Sequence, residues 1–255
     1  MPEQKQDREK LKVLVFTAHP DDHFPCSGTM IKLRKKGMEL YECLFTDGET
    51  SGLFKDGKFQ ENVDKEELKE VRSSEFKQAT KILGTKEVFL LHQPNNGIER
   101  KYDLVLEVIK IIRKVKPFVV LMHGSNDYHS DHRALYEVVS EALRAASIPK
   151  ALELGERYRV PVALCFDGLY MTNAQVIVDV SDVAEEKAQI VDCYKSQIPK
   201  NSIGYKVDDA ICTYRAYQRG YINYQSKSGS MSEGFSIPEK YPVAGDELIR
   251  FLKDA

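Results

Sequence analysis

The stretch "VLVFTAHPDDHFPCSGTMIKLRKKG", residues 13–37, decides how the rest of the chain reads. It opens as a short apolar run of the kind that forms a strand buried on both faces. It closes at Gly37, a helix-ending residue, after a helical stretch over 27–36. Between the two lie His19, Asp21, Asp22 and His23, all within five positions. Buried charge is costly unless it is paired or bound to a metal, so such a cluster at a strand end marks a site more readily than a core.

Working outward, the same alternation repeats. "KVLVFTA" precedes helix 27–36, "LYECLFTD" precedes helix 61–83, "EVFLLHQ" precedes helix 103–115 and "FVVLMHG" precedes helix 131–147. Apolar strands alternating with helices build a parallel sheet covered on both faces, so the expected fold is a doubly wound α/β domain with a mostly parallel sheet. Gly84 and Pro117 punctuate the second and third helices. "VALCFDGLY" and "QVIVDVS" read as further strands before a helix over 182–196, and beyond 197 the pattern weakens. "YQSKSGSMSEGFS" reads as a surface loop. With no repeat or linker, the expected organisation is a polar tail over 1–10 and a single domain over 11–255.

Composition narrows the function classes. The 37 Lys and Arg nearly balance 39 Asp and Glu, a net charge of −2, so neither nucleic acid nor an anionic membrane is the expected partner. A small neutral or polar ligand fits better. No window is apolar enough to span a bilayer, and the N-terminal "MPEQKQDREK" is charged where a signal peptide needs an apolar segment. The expectation is a soluble, cytoplasmic protein without membrane insertion. Five widely spaced cysteines, never as Cys-x-x-Cys, read as reduced and mostly buried rather than as a disulfide or zinc-thiolate framework.

A second cluster, "HGSNDYHSDHRA" at 123–134, lies where the fourth strand gives way to its helix. In the strand order 3-2-1-4 the first and fourth strands are neighbours at the topological switch point, where such sheets bind ligands. Two clusters far apart in sequence then face one crevice. Either alone reads equally as a helix-capping turn; together they read as a site. Two imidazoles and a carboxylate with an open position suit a catalytic zinc ion. His19 and Asp22 can turn toward one ion across the tight turn. Asp21, projecting differently, is then free to act as general base on metal-bound water. Of His129 and His132, one can ligate while the other stays free, and the spacing does not choose. Asp131 is placed to orient a histidine.

"AHPDDHFPCSGT", "FTDGE", "RSSEFKQATKILG", "NDYHSDHRA", "YKSQ" and "SEGF" occur in the order and spacing that resemble the LmbE/PIG-L family of zinc-dependent de-N-acetylases, over residues 12 to 235. The resemblance implies a Rossmann-like fold and hydrolysis of the amide C–N bond of an N-acetylglucosamine-type sugar or its conjugate. It implies one Zn2+ per chain, other divalent metals being compatible with the same ligands. It makes His19, Asp22 and His132 the metal ligands and Asp21 the base. His129 becomes the second catalytic histidine, protonated to stabilise the oxyanion and oriented by Asp131. It also leans toward a homo-oligomer.

Secondary candidates keep two readings each. Arg72 matches a family arginine that resembles a substrate contact, or is a surface arginine paired with Glu75 or another acid. Asp47 accepts from a sugar hydroxyl or from the loop around His19, or forms a plain Asp-Gly turn. His92 sits at a carboxyl strand edge where substrate could touch it. His23 reads as a neighbour of the metal site or of the pocket rim rather than a fourth ligand, which would close the open position. His123 reads as a hydrogen-bonded core histidine more than as part of the crevice lining. "YRAYQRGYINYQ" reads as packing or subunit contact. Specificity is expected in loops 48–62, 92–102 and 223–235. The rival functions are a metal-dependent phosphoesterase and a non-catalytic ligand-binding module on the same fold.

Overall fold

Val13 to Thr17 are completely buried, as the interior of a parallel sheet with two covered faces demands. The computed structural model describes residues 10–223 and 229–254, so the tail expected over 1–10 lies almost wholly outside the described residues. The strands are β1 (Lys12–Thr17), β2 (Glu39–Thr46), β3 (Leu53–Lys55), β4 (Lys58–Gln60), β5 (Glu87–Gln93), β6 (Val119–Met122), β7 (Val162–Phe166), β8 (Val176–Asp179) and β9 (Ser232–Ser236). The helices are α1 (Ser27–Lys35), α2 (Lys65–Leu83), α3 (Tyr102–Val115), α4 (Ser130–Ala146), α5 (Ala184–Val191), α6 (Ile203–Asn223) and α7 (Gly245–Asp254).

The main sheet runs β5-β2-β1-β6-β7-β9-β8, and its first five strands are parallel. β9 enters antiparallel to both β7 and β8. In terms of the four leading strands this is the expected 3-2-1-4 order. Side chains alternate between two cores: Val13 and Val15 share one with Met30, Leu33 and Leu83, while Leu14 and Phe16 share the other with Val108, Leu135 and Val139. The result is a single α/β domain. α2 starts where Asp64 accepts from the Glu66 and Glu67 amides and stops at Gly84 in the left-handed region at φ 73°.

Four local expectations change. Loop 48–62 contains the β3–β4 hairpin. The helix expected over 182–196 is regular α-helix only as α5, Ala184–Val191. α6 and α7 occupy the stretch where the pattern faded; on α6, Tyr214 and Tyr217 are exposed while Arg215 is buried against Asp167. Within the Ser- and Gly-rich segment, residues 224–228 lie outside the described residues, but Ser232–Ser236 is a buried interior strand rather than a surface loop.

Glu233 explains that last correction. Its carboxylate accepts from the Gly28 and Thr29 amides at 2.9 and 2.8 Å, capping the N-terminus of α1, and from Lys187 Nζ at 2.9 Å. A polar strand can therefore be buried because its charge is satisfied by distant partners. Glu233→Ala removes the cap and unbalances the Lys187 ammonium. Breaking such a buried pair costs about 3 kcal/mol or more, toward the low end here because Asp208 stays 3.4 Å from Lys187. Urea unfolding should show that loss, and adding Lys187→Met should restore part of it.

Candidate active site

β1 ends at Thr17, and the chain then descends through successive tight turns. Asp22 N donates to His19 O at 3.2 Å, Phe24 N to Asp21 O at 3.1 Å and Cys26 N to His23 O at 3.2 Å. β6, paired in parallel with β1 through Leu14 and Val120, ends at Met122; His123 follows, and α4 begins with His129 as its N-cap. The two clusters are thereby brought to one crevice at the carboxyl edge of the sheet.

Asp22 Oδ2 lies 3.1 Å from His19 Nδ1 and 3.2 Å from His132 Nε2, and the two nitrogens are 3.2 Å apart. A tetrahedral ion bonded at about 2.0–2.1 Å has ligands separated by about 3.3–3.4 Å, so these atoms form a face of the right size with a hard-oxygen and imidazole donor set. The residues fit a divalent cation. Two wider groupings, His19 with His129 and His132, and Asp22 with His123 and His132, also keep their donor atoms within 4.8 Å of one another.

Each imidazole of the triad has a carboxylate behind it, hydrogen-bonded to His19 and at ion-pair distance from His132. His19 Nε2 bonds Asp131 Oδ2 at 3.2 Å, and Asp131 is itself fixed by the Asn96 and Ile98 amides at 2.7 and 3.2 Å. His132 Nδ1 lies 3.0 Å from Asp127 Oδ2. This arrangement fixes the ring orientation and raises ligand basicity. Asp131 thus orients His19 and not His129, the partner that the family resemblance implied. At the start of α4 its side chain turns back toward the loop after β5, and only its backbone N–H reaches His129 Nδ1, at 3.2 Å. Asp127 was not singled out from sequence; its position four residues after His123 and five before His132, inside "HGSNDYHSDH", was the available signal.

His129 lines the crevice with its ring centroid 4.7 Å from that of His19. Because Nδ1 accepts the Asp131 amide, the proton of the neutral ring sits on Nε2, which is a donor without further protonation. Burial, with His19 and His132 nearby, lowers its pKa. Asp21 also lines the cavity, which has a volume of about 350 Å³. Arg72 is buried, donating from Nη2 to Asp21 Oδ1 at 2.5 Å and from Nη1 to Gly48 O at 3.0 Å. It is therefore paired with an acid, but that acid is Asp21 rather than Glu75, which binds Ser196, and the side chain is buried rather than at the surface. Gly48, at φ 70°, admits this approach because any Cβ there would collide with the guanidinium.

His123 is both buried and part of the lining, with Nε2 3.1 Å from Asp22 Oδ2. Asp47 and His92 do not line this cavity; they pair with each other at 3.0 Å, and Asp47 also takes Lys69 at 2.8 Å. His23 does not line it either, being fully buried between Glu42 and Tyr194.

Charge is concentrated here. Burial disfavours the charged form of His19, but Asp22 and Asp131 outweigh it and hold the pKa up at about 9. His132 is likewise carried against burial to about 10 by Asp22 and Asp127. Burial and the neighbouring His132 bring His123 down to about 4. Asp22 stays well below the usual carboxylate range: His132, His19 and His123 overcome its burial.

A doubly wound sheet whose switch-point crevice gathers imidazoles and carboxylates around one cation-sized face is an α/β fold with a site able to hold a divalent cation. Residues 14–143 match the family described as PIG-L, GlcNAc-PI de-N-acetylase, and the chain belongs to that family. Diacetylchitobiose deacetylase of Thermococcus kodakarensis is 30% identical over 196 residues, which span 74% of this chain and 71% of that relative. The structure of N,N'-diacetylchitobiose deacetylase from Pyrococcus horikoshii superposes with a TM-score of 0.73 at 24% identity, covering 94% of this chain and 89% of that one. That of GalB, the 4-carboxy-2-hydroxymuconate hydratase of Pseudomonas putida KT2440, gives 0.75 at 18% identity, covering 89% and 95%. The likeness to the last two is one of fold, and fold alone does not fix the reaction.

Cation affinity should report the triad directly. His132→Ala should abolish stoichiometric zinc binding, whereas Asp127→Asn and Asp131→Asn should weaken it by roughly 10–100-fold, the usual effect of losing a carboxylate behind a ligating histidine. Since protons on His19 and His132 must leave when a cation enters, affinity should fall as pH falls. Chelator competition across pH checks all three.

Proposed function

We propose that the protein is a zinc-dependent hydrolase that removes the acetyl group from an N-acetylglucosamine-type sugar or its conjugate. The observation that carries this reading is the His19–Asp22–His132 face, 3.1–3.2 Å on each edge, with Asp21 and His129 lining the same cavity. Family membership supplies the reaction class, and the deacetylase relatives supply the sugar.

His19, Asp22 and His132 would hold the cation, which polarises the acyl carbonyl and makes water more acidic. Asp21 is the general base: its carboxylate takes a proton from the attacking water, and Arg72 holds it in line. His129 donates from Nε2 to the oxygen that gains charge as the carbonyl becomes tetrahedral. This replaces the protonated histidine expected from sequence, since the neutral ring already has its donor. When the C–N bond breaks, Asp21 returns its proton to the departing amine, which leaves acetate and a free amino sugar. Asp131 and Asp127 hold the two ligating rings.

The test is release of free amine and acetate from a panel of N-acetylglucosamine mono- and disaccharides and conjugates by the zinc-loaded protein. Asp21→Asn should keep its zinc and lose about 10²–10⁴-fold in turnover. Bound zinc without turnover on any compound would turn attention to phosphoester hydrolysis or to a binding role.

A further inference from the structure

The middle of β2 carries a residue that a strand buried on both faces should exclude. Glu42 and His23 are both completely buried, and Glu42 Oε2 lies 2.5 Å from His23 Nδ1. The other carboxylate oxygen accepts from Thr85 Oγ1 at 2.5 Å. On the far side of the ring, the hydroxyl of buried Tyr194 is 2.6 Å from His23 Nε2. A carboxylate only accepts, so Nδ1 donates to Glu42 and Nε2 accepts from the phenol. Phe76 of α2 stacks on the same ring, with centroids 5.6 Å apart. A buried pair of this kind adds little net stability over apolar packing, so its use here calls for another account.

We propose that Glu42, His23 and Tyr194 form a positioning chain that fixes the Asp21–Asp22 turn relative to segment 194–198, whose Gln197 and Ile198 line the cavity. The inference rests on the roles proposed above for those two carboxylates. His23 directly follows Asp22, and Phe24 N is bonded to Asp21 O, so displacing the His23 ring rotates the turn that carries both acids. Tyr194 O accepts from the amides of Gln197 and Ile198 at 3.1 and 2.7 Å, and both of those residues line the cavity. Glu75, three residues after Arg72 on α2, binds Ser196 N and Oγ at 2.8 and 2.6 Å. The turn is therefore tied to segment 194–198 twice, once through His23 and once through Arg72 and α2. The separation between Asp22, which faces the cation, and Asp21, which faces the reacting water, is held by Arg72 on Asp21 and by His23, Glu42 and Tyr194 behind the turn.

The experiment compares Tyr194→Phe, which removes one hydroxyl, and Glu42→Gln, which keeps the shape, with the wild type. The fraction folded is measured by circular dichroism and zinc affinity by chelator competition; kcat and KM are taken on whichever N-acetylated sugar the wild type cleaves. Both variants should bind zinc roughly 10-fold more weakly per folded molecule or lose roughly 10-fold in kcat, with KM within about twofold. A chain that only supports the fold would lower the unfolding midpoint and leave zinc affinity and kcat per folded molecule at wild-type values, and that result would overturn the proposal. If Glu42→Gln fails to fold, Tyr194→Phe decides. If the wild type cleaves no sugar, the deacetylase reading fails on its own and zinc affinity alone decides the positioning role.

Discussion

The parallel pairing of β1 with β6 is what makes a site out of residues more than a hundred positions apart. Leu14 faces Val120 and Val15 faces Leu121 across the ladder, so the two strands end level and their loops leave side by side. His19 and His132, 113 residues apart in sequence, come within 3.2 Å. Neither strand could shift by one residue without turning its whole set of side chains to the opposite face, which would move Leu14 and Phe16 out of the core they share with α3 and α4. The packing of two apolar layers thus specifies the positions of groups that are themselves unfavourable to bury.

Those groups are made tolerable by pairing. Asp131 lies on His19, Asp127 on His132, Glu233 on Lys187, and Asp167 takes Arg215 in a fork at 2.7 and 2.9 Å. The first two pairs orient rings toward the cavity, while the last two tie α5 to β9 and α6 to the residue after β7. Low dielectric strengthens each paired contact and penalises each unpaired one, so the buried polar groups specify geometry more than they add stability.

The strand order and the convergence of the two clusters were legible because apolar periodicity and local turn chemistry report on neighbours within a few residues. What failed was anything decided by a partner elsewhere. The family resemblance pairs Asp131 with His129, yet its side chain binds His19 and the amides of a loop 33 to 35 residues earlier. Asp47 and His92 stand at strand ends, as expected, but satisfy each other beside Lys69. "SEGFS" has turn-like composition, but it pairs with β7 and β8, and the amides of α1 and the Lys187 ammonium let its Glu233 stay buried there. Glu42 was readable in principle, as an acid inside the apolar run "LYECLF", but its partners were not.

The capping of α1 by Glu233 also orders events in time. The Gly28 and Thr29 amides leave the ribosome long before the carboxylate that closes them, 205 and 204 residues later. At about 5–20 residues per second that interval is roughly 10–40 s. Through it, the helix that follows the His19–His23 turn has no acid at its N-terminus, and Lys187, once made, waits for Glu233 as well. The nascent chain can assemble its first strands and helices while the start of α1 stays open to water. The turn that carries Asp21 and Asp22 gains its final support only when β9, the last of the described strands, is in place.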